Sequence, residues 1–377
     1  MIPYEGLLFF YILAAVLVVS AVLGFLGKNQ KYWGIIATLF MLSAIFDRGH
    51  EWLLIGFIAF ELIVLYAYFV IRKKSKNCLL CWLFVFLSIA PLVLSKLSGI
   101  LTENVIGFLG ISYLTFKSVQ IVIETYDGLI EKLSFIDTLY FIVFFPTISS
   151  GPIDRYRRFV GDINAEISGE QYSDLFKKGV WKLMTGVFYG LVISNLINTL
   201  WLSKIPESGL FNHWQYMYAY TFYLFFNFAG YSRMAIGTGY IMGVKVPENF
   251  DMPFISKDMK DFWSRWHISL STWFRDYIYT RFAAVSLRKK WFKNIYMGSY
   301  IGYIITMTVM GFWHGFELHY IVYGIYHGLL MCANDVIEHK WKGYKKIRRK
   351  DKAWPVMALI TFHLISFGML IFSGRLF

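Results

Sequence analysis

The sequence contains few cysteines and few charged residues. Its 377 residues include three cysteines, Cys78, Cys81 and Cys332, which is too few for the disulfide framework of a small secreted protein. Charged residues make up 16% of the chain, whereas about 25% is usual in soluble domains. No internal repeat, low-complexity segment or flexible linker is visible, which excludes a repeat array and a string of loosely joined domains.

Metal-binding patterns are also scarce. Cys78 and Cys81 form a C-x-x-C pair, a spacing used by redox and metal sites, at the start of an apolar run. No second Cys/His pair stands at metal-ligand spacing, and no H-E-x-x-H occurs. The simpler interpretation is two small residues on a packed or lipid-facing helix. The sequence therefore predicts no metal site.

Apolar and aromatic residues are abundant instead. Hydrophobic residues make up 57% of the chain and aromatic residues 20%, and the mean hydropathy is +0.51. Soluble domains contain about 45–50% apolar residues, so this excess indicates a lipid bilayer. The net charge is +13, but the basic residues stand in short runs between apolar stretches. That pattern is typical of cytoplasmic loops and does not predict a nucleic-acid-binding face.

The apolar stretches are long enough to cross a membrane. Because a crossing helix needs about 20 apolar residues, the sequence predicts an all-α polytopic membrane protein with roughly ten to twelve spans. The first run lacks a cleavage site, so we interpret it as a retained span. The candidate spans are 7–26, 33–46, 52–71, 78–95, 105–124, 135–148, 178–201, 214–243, 295–313, 317–336 and 354–373.

The span at 135–148 is short, and it is followed by helix-breaking residues and a basic cluster. Pro146 and Pro152 interrupt any helix there, and non-helical backbone at membrane depth must be buried in protein or line a cavity. We therefore expect a re-entrant segment. The cluster Arg155, Arg157 and Arg158 could receive a phosphate or an acidic protein. It could equally be a signal that keeps this loop in the cytoplasm.

The region from 244 to 294 departs from the apolar pattern. Two prolines, Pro247 and Pro253, exclude a continuous helix at its start. Ser256 is placed to cap a following helix, with Asp258 in its first turn. Aromatic and aliphatic residues then recur at helical spacing, which predicts one aromatic helix face, buried in the bundle or lying along the interface. They are Trp263, Trp266, Leu270, Trp273 and Tyr277.

His267 lies on this predicted helix. Trp263 and Ser271 stand four residues away on either side, so the three side chains would share one face. One interpretation is that His267 is a polar group at a reaction centre. The other is an interfacial helix anchored by tryptophans, in which His267 only packs.

His314 lies near the end of an apolar span, in the segment Met310-Gly-Phe-Trp-His-Gly315. Glycines at 311 and 315 allow another backbone or a substrate to come close. An ionisable side chain at membrane depth is costly, and a neutral imidazole can accept a proton, so His314 is a candidate general base. The alternative is an interfacial histidine bonded to a backbone carbonyl.

Five segments, taken together and in this order, resemble the membrane-bound O-acyltransferase (MBOAT) family, over about 105–335. Within the family, residues 230–237, 253–258, 277–281 and 327–328 look most like the branch that D-alanylates teichoic acids in Gram-positive bacteria. The five segments are Phe145-Pro with Gly151-Pro-Ile153, Gly230-Tyr-Ser, Pro247-Glu-Asn-Phe250, 262–276 and Gly311-Phe-Trp-His-Gly315.

The resemblance implies a fold and a catalytic pair. The family fold is a ring of helices around a central tunnel, with additional re-entrant and interfacial helices. It would form one domain over 1–377, with N-terminal helices at about 1–104, the core at about 105–335 and a last span at about 354–373. His314 corresponds to the family's catalytic histidine on the tunnel wall, and His267 to the second family position.

The resemblance also implies the substrates. The donor would be D-alanine, held as a thioester on the phosphopantetheine arm of a small acidic carrier protein in the cytoplasm, so the chain itself would bind no cofactor. The acceptor would lie outside and lead to lipoteichoic acid, in the cell membrane of a Gram-positive bacterium, with a further membrane or extracellular partner. The arginines at 155, 157 and 158 would dock the carrier.

Further residues are candidates for the tunnel. Trp266, Trp273 and Trp313 offer faces for the D-alanyl ammonium through cation–π contacts. Ser271 and Asn227 would line the same path. The branch usually carries an aspartate where this chain has Asn227, so this position offers no carboxylate.

Two other functions are compatible with a polytopic chain. One is an O-acetyltransferase that acts on an exported polysaccharide, although the branch-specific residues favour D-alanine. The other is a transporter or flippase, or a pure scaffold, without acyl chemistry. Transporters often contain inverted repeats with paired broken helices, which this sequence lacks.

Overall fold

A computed structural model describes residues 1–46, 51–101, 106–341, 343–348 and 350–377. Within these ranges the chain is helical and contains no β-strand, which confirms the predicted all-α class. A single antiparallel bridge joins Phe250 and Trp266. The α-helices are α1 (Leu7–Phe25), α2 (Lys31–Ile45), α3 (Glu51–Lys74), α4 (Cys78–Leu101), α5 (Ile111–Asp127), α6 (Phe135–Val143), α7 (Tyr156–Asn164), α8 (Gly169–Val187), α9 (Ser194–Leu200), α10 (Leu210–Ile241), α11 (Met259–Arg265), α12 (Ile268–Phe274), α13 (Thr280–Arg288), α14 (Met297–His314), α15 (Leu318–Lys340), α16 (Tyr344–Arg348) and α17 (Trp354–Phe372).

Several helices are suited to a bilayer. In the described ranges, five helical segments are long and apolar enough to cross it: Leu7–Phe25, Glu51–Lys74, Cys78–Gly99, Gly169–Lys204 and Trp354–Phe372. A helix of 19 residues, such as α1, spans roughly 30 Å, the thickness of the hydrocarbon core. The chain is therefore a multi-pass membrane protein. The total of ten to twelve crossing helices stays a prediction.

The chain forms two compact units, which we describe separately. The N-terminal unit comprises Met1–Val187 and Tyr231–Pro247, and the C-terminal unit comprises Phe188–Gly230 and Glu248–Phe377. The predicted boundary at 104 and 105 lies outside the described residues.

The N-terminal unit is organised around α5. This helix packs against α3, α4 and α6, and each of its residues from 114 to 125 is buried. Several of these buried residues are polar, which an apolar core excludes unless they have partners. Lys117 binds a backbone carbonyl in the last turn of α6. Gln120 binds one in the segment 144–155 that follows α6, which we call the broken segment.

The span predicted at 135–148 is short because α6 ends at Val143 and the broken segment follows it. Helix α6 has nine residues and rises only about 14 Å, so it is too short to cross a bilayer. Nζ of Lys117 donates to the carbonyl oxygens of Phe141 and Ile142 at 3.1 and 3.2 Å, and to Oγ1 of Thr147 at 3.2 Å. The amide of Gln120 donates to the carbonyl of Asp154 at 2.9 Å. Buried side chains thus bind the backbone that leaves the helix, as expected for a re-entrant segment.

In the C-terminal unit, α14 and α15 form a closely packed pair that also contacts α17. A Cβ atom added at Gly311 would lie 2.4 Å from the carbonyl oxygen of Tyr320, and one at Gly324 would lie 2.4 Å from that of Met307. The two backbones are therefore in contact, which only glycine permits. This packing brings the end of α14 next to the start of α15.

The predicted aromatic helix is not continuous. Helix α11 ends at Arg265 and α12 begins at Ile268, with a turn between them. The prediction that Ser256 caps the first of these helices is also wrong. The carboxylate of Asp258 accepts the cap hydrogen bond from the Asp261 amide at 2.9 Å, whereas Oγ of Ser256 donates to the carbonyl of Pro253.

Candidate active site

His267 forms the turn between α11 and α12. Its backbone is left-handed, with a φ of +43°, a conformation that is strained for a residue with a Cβ atom. The prediction that it shares a helix face with Trp263 and Ser271 is therefore wrong. The helix stops because the backbone amide of Ile268 donates to the carbonyl of Asn249 at 2.9 Å instead of continuing the helical pattern.

Asn249 holds this turn in place. Its Oδ1 atom accepts hydrogen bonds from Oγ of Ser269 at 2.6 Å and from the Ser269 amide at 3.3 Å. A second backbone hydrogen bond, from Asp251 to Arg265 at 3.0 Å, fixes the same two segments. Asn249 is fully buried. The segment 249–251 thus positions His267.

The imidazole of His267 is buried but not fully hydrogen-bonded. Its residue is 5% exposed, and the ring of Phe228 packs edge-on at 4.6 Å between centroids. Nε2 has no hydrogen-bond partner in the described part of the chain. An unpartnered buried nitrogen is costly, so this atom is available to a ligand.

His314 is the last residue of α14 and is half-buried. Its ring lies 4.8 Å from that of Phe372 and 5.9 Å from that of Tyr320, measured between centroids. The carbonyl end of a helix carries partial negative charge, which stabilises an imidazolium. His314 thus lies at the carbonyl end of α14, between aromatic rings of α15 and α17.

Trp313 lies beside both histidines. Its ring centroid is 4.5 Å from that of His314 and 6.5 Å from that of His267. The structure thus brings together three of the residues that the sequence singles out.

A cavity of about 280 Å³ in the same unit is lined by residues of α11, α12, α14 and α15, and neither His267, Trp313 nor His314 lines it. Ser271 and Thr272 line it with hydroxyl groups, and Lys260 and Arg275 contribute cationic side chains. Met310, which also lines it, stands one helical turn before His314 on α14. Of the residues predicted to line a tunnel, Ser271 therefore lines a cavity, and this cavity reaches α14 at Met310.

The other residues predicted to line the tunnel do not line this cavity. Trp266 and Trp273 are each only 5% exposed, and Trp266 stacks on Phe262 with 5.5 Å between centroids. Little of either ring is open to a ligand. Asn227 is exposed on α10, while the next residue, Phe228, packs on His267. Trp313 is the tryptophan of the three that lies beside His314.

The arginine cluster lies in the N-terminal unit, where its members have internal partners. Nη2 of Arg158 binds the buried carboxylate of Asp154 at 2.5 Å. Burial raises the pKa of Asp154, and the Arg158 guanidinium limits that rise. Arg157 binds Glu124 at 3.2 Å, but its side chain is 54% exposed. Arg158 therefore stabilises the fold, and Arg157 is the more accessible cation.

Sequence reasoning missed three kinds of residue whose contacts position the candidate site or the broken segment. Asn249 belongs to a segment noted only for its resemblance, and its contact with Ser269 joins distant parts of the sequence. Phe228 and Phe372 look like ordinary apolar residues, so nothing marked their contacts with the histidines. Lys117 did carry a signal, because a cation inside an apolar helix is costly and needs a partner.

Comparison with known proteins covers this whole region. Residues 58–374 match the family model described as MBOAT, membrane-bound O-acyltransferase family. A teichoic acid D-alanyltransferase of Bacillus subtilis is 43% identical over 392 positions, covering 100% of this chain and 99% of that protein. One of Streptococcus thermophilus is 37% identical, covering 99% and 95%. A probable alginate O-acetylase of Pseudomonas aeruginosa is 34% identical, covering 71% of this chain and 49% of that protein.

Proposed function

The chain belongs to the membrane-bound O-acyltransferase family and is therefore an acyltransferase, and from that premise we propose that it transfers D-alanyl groups toward teichoic acid hydroxyls. The donor is a D-alanyl thioester on the phosphopantetheine arm of an acidic cytoplasmic carrier protein. Similarity over the full length of two proteins named for this activity supports the substrate. The convergence of His314, His267 and Trp313 carries the proposal.

The proposed reaction needs one base and one donor to the developing oxyanion. An acceptor hydroxyl attacks the thioester carbonyl, and His314 takes its proton. His267 donates from Nε2 to the oxyanion. The C–S bond then breaks, and the leaving thiolate recovers the proton from His314, which yields an ester and a free thiol. A positioned general base contributes a rate factor of about 10²–10⁴.

The remaining residues fit a path for the two substrates. The cavity that Ser271 lines would hold part of the donor arm, whose amides suit hydroxyl partners. The ring of Trp313 would face the D-alanyl ammonium, a contact worth about 0.5–2 kcal/mol. The chain binds no cofactor of its own. It acts in the cell membrane of a Gram-positive bacterium, together with the carrier and a further membrane or extracellular partner.

Replacement of His314 by Ala tests this function. We expect loss of D-alanine ester from the envelope polymers of cells that contain only this variant, with normal insertion and purification of the protein. His363→Ala is the matched control, because His363 is exposed on α17, and it should retain transfer. Near-normal D-alanine ester with His314→Ala would refute the catalytic role, as a transporter or scaffold predicts.

The partial similarity to an O-acetylase makes acetyl transfer the second candidate. Cells supplied with radiolabelled D-alanine or radiolabelled acetate distinguish the two. We expect D-alanine label in envelope polymers, dependent on His314. Acetyl label that depends on His314, without D-alanine label, would replace the proposed substrate while keeping the histidine chemistry.

A further inference from the structure

Aromatic side chains pack against His314 and beneath Arg375 in the C-terminal unit. The ring of Tyr320 packs beside that of His314, with 5.9 Å between centroids and 26° between ring planes. Tyr220 stacks on Tyr216 with 5.6 Å between centroids and 10° between ring planes. The guanidinium of Arg375 lies over the ring of Tyr216, 4.0 Å from its centroid. One aromatic group therefore lies against His314, and a second lies under a cation.

Arg375 has hydrogen-bond partners within the unit but no acidic partner among the residues that the structure describes. Its Nη2 donates to the carbonyl of Pro206, and its Nε lies 3.4 Å from Nδ1 of His213. The residue is half-buried, and it forms no ion pair in the part of the chain that the structure describes. A guanidinium that is oriented by a ring and a carbonyl, and not neutralised by a carboxylate, is suited to bind an anion.

Arg375 lies on the outer side of the membrane, from which the acceptor would arrive. Arg375 follows α17, which begins after the strongly basic run 340–352. By the positive-inside rule that run is cytoplasmic, so the other end of α17 lies outside. Arg375 also stands only three residues after Phe372, whose ring packs on His314. The anion site is therefore close to the reaction centre, on the side from which an acceptor arrives.

We propose that Arg375 and Tyr216 form a subsite for a phosphate group of the acceptor, and that Tyr220 and Tyr320 guide the adjoining polyol hydroxyl to His314. This inference rests on the proposed function, because a teichoic acid is a polyol phosphate polymer. A guanidinium matches two phosphate oxygens in one plane. Tyrosine rings and hydroxyls suit the polyol between phosphates. The same anion chemistry occurs in the headgroup of an anionic phospholipid.

Binding to the full-length protein in nanodiscs of zwitterionic phosphatidylcholine tests the subsite. The probe is a synthetic glycerol phosphate oligomer, and the variants are Arg375→Gln and Arg375→Lys. We expect Arg375→Gln to weaken binding about tenfold or more, the factor for losing a charge-assisted contact. Arg375→Lys should lose less. Lys204→Gln is the control, since Lys204 is an exposed cation near Pro206, and it should bind as the wild type does.

Three results would overturn the subsite. One is unchanged oligomer binding by Arg375→Gln. Another is an equal loss of binding for a glycerol oligomer without phosphates, which would make Arg375 a purely structural residue. The third is that Arg375→Gln loses affinity for phosphatidylglycerol in the nanodisc but not for the oligomer, which would make the anion a lipid headgroup.

Two further measurements keep the test decisive. If Arg375→Gln does not fold, competition by inorganic phosphate against the oligomer on the wild-type protein decides, and its absence refutes the subsite. Transfer of D-alanine by the wild-type protein is measured in parallel. If transfer fails, the proposed function is wrong. If transfer succeeds and Arg375→Gln keeps the wild-type acceptor KM, the subsite alone is wrong.

Discussion

His267 occupies a backbone conformation that costs on the order of 1–3 kcal/mol for a residue with a side chain. Such strain persists only where the surrounding structure imposes it. Here the carbonyl and side chain of Asn249 bind Ile268 and Ser269, the two residues that follow the histidine. The strained turn directs a buried imidazole toward Trp313. We therefore propose that Asn249 positions His267 for the reaction.

Asn249→Ala removes the acceptor that holds this turn. We expect D-alanyl transfer by the purified protein to fall at least about tenfold in kcat, because a misplaced donor loses most of its effect. Loss of the hydrogen bonds should also lower the free energy of unfolding by about 1–3 kcal/mol. Asn249→Asp keeps an oxygen at the Oδ1 position and should retain more activity. A lower melting temperature with an unchanged kcat would show that Asn249 only stabilises the fold.

At this scale the sequence singles out His314 as a candidate general base, which stays a prediction, and it does not predict the conformation of His267. A histidine at the end of an apolar run is visible as a costly ionisable group. The residues around His267 do follow helical spacing, and local periodicity alone predicts one helix. The turn instead results from pairing with Asn249, which stands eighteen residues earlier in the sequence. A tertiary contact of this kind leaves no periodic signal.

At the scale of helices, the break after α6 depends on α5. Three acceptors, the carbonyls of Phe141 and Ile142 and the hydroxyl of Thr147, share the ammonium of Lys117. The prolines in the sequence predict that a helix must stop here. They do not indicate which residue binds the freed carbonyls. That partner, Lys117, lies on α5. In the sequence, only its charge within an apolar run indicates that it needs a hydrogen-bond partner.

Lys117→Met tests this arrangement. The variant keeps the volume of the side chain but leaves buried carbonyls without a donor, at a cost of about 1–3 kcal/mol. We expect a lower midpoint of thermal unfolding in detergent and a lower yield of inserted protein. Lys74→Met, at the exposed end of α3, should leave both unchanged. An unchanged midpoint for Lys117→Met would mean that the broken segment does not need this ammonium.

At the scale of the whole molecule, the net charge of +13 is concentrated in loops between apolar helices. This charge orients the chain and would also attract an acidic carrier from the cytoplasm. The sequence alone suggests that the arginines at 155, 157 and 158 act together. The structure separates them, because Arg158 binds the buried Asp154 whereas Arg157 is half exposed. Composition predicts the attraction, but only the fold distinguishes an accessible cation from an internal one.

Arg157→Gln is therefore the sharper test of carrier docking. We expect weaker binding of the acidic carrier, with a larger loss at low ionic strength, because salt screens exposed charges. Lys177→Gln removes another exposed charge from the same unit, and it should have little effect. Arg158→Gln should instead lower thermal stability, since it leaves a buried carboxylate unpaired. If carrier affinity at low salt is the same for Arg157→Gln and the wild type, the cluster orients the loop and does not dock the carrier.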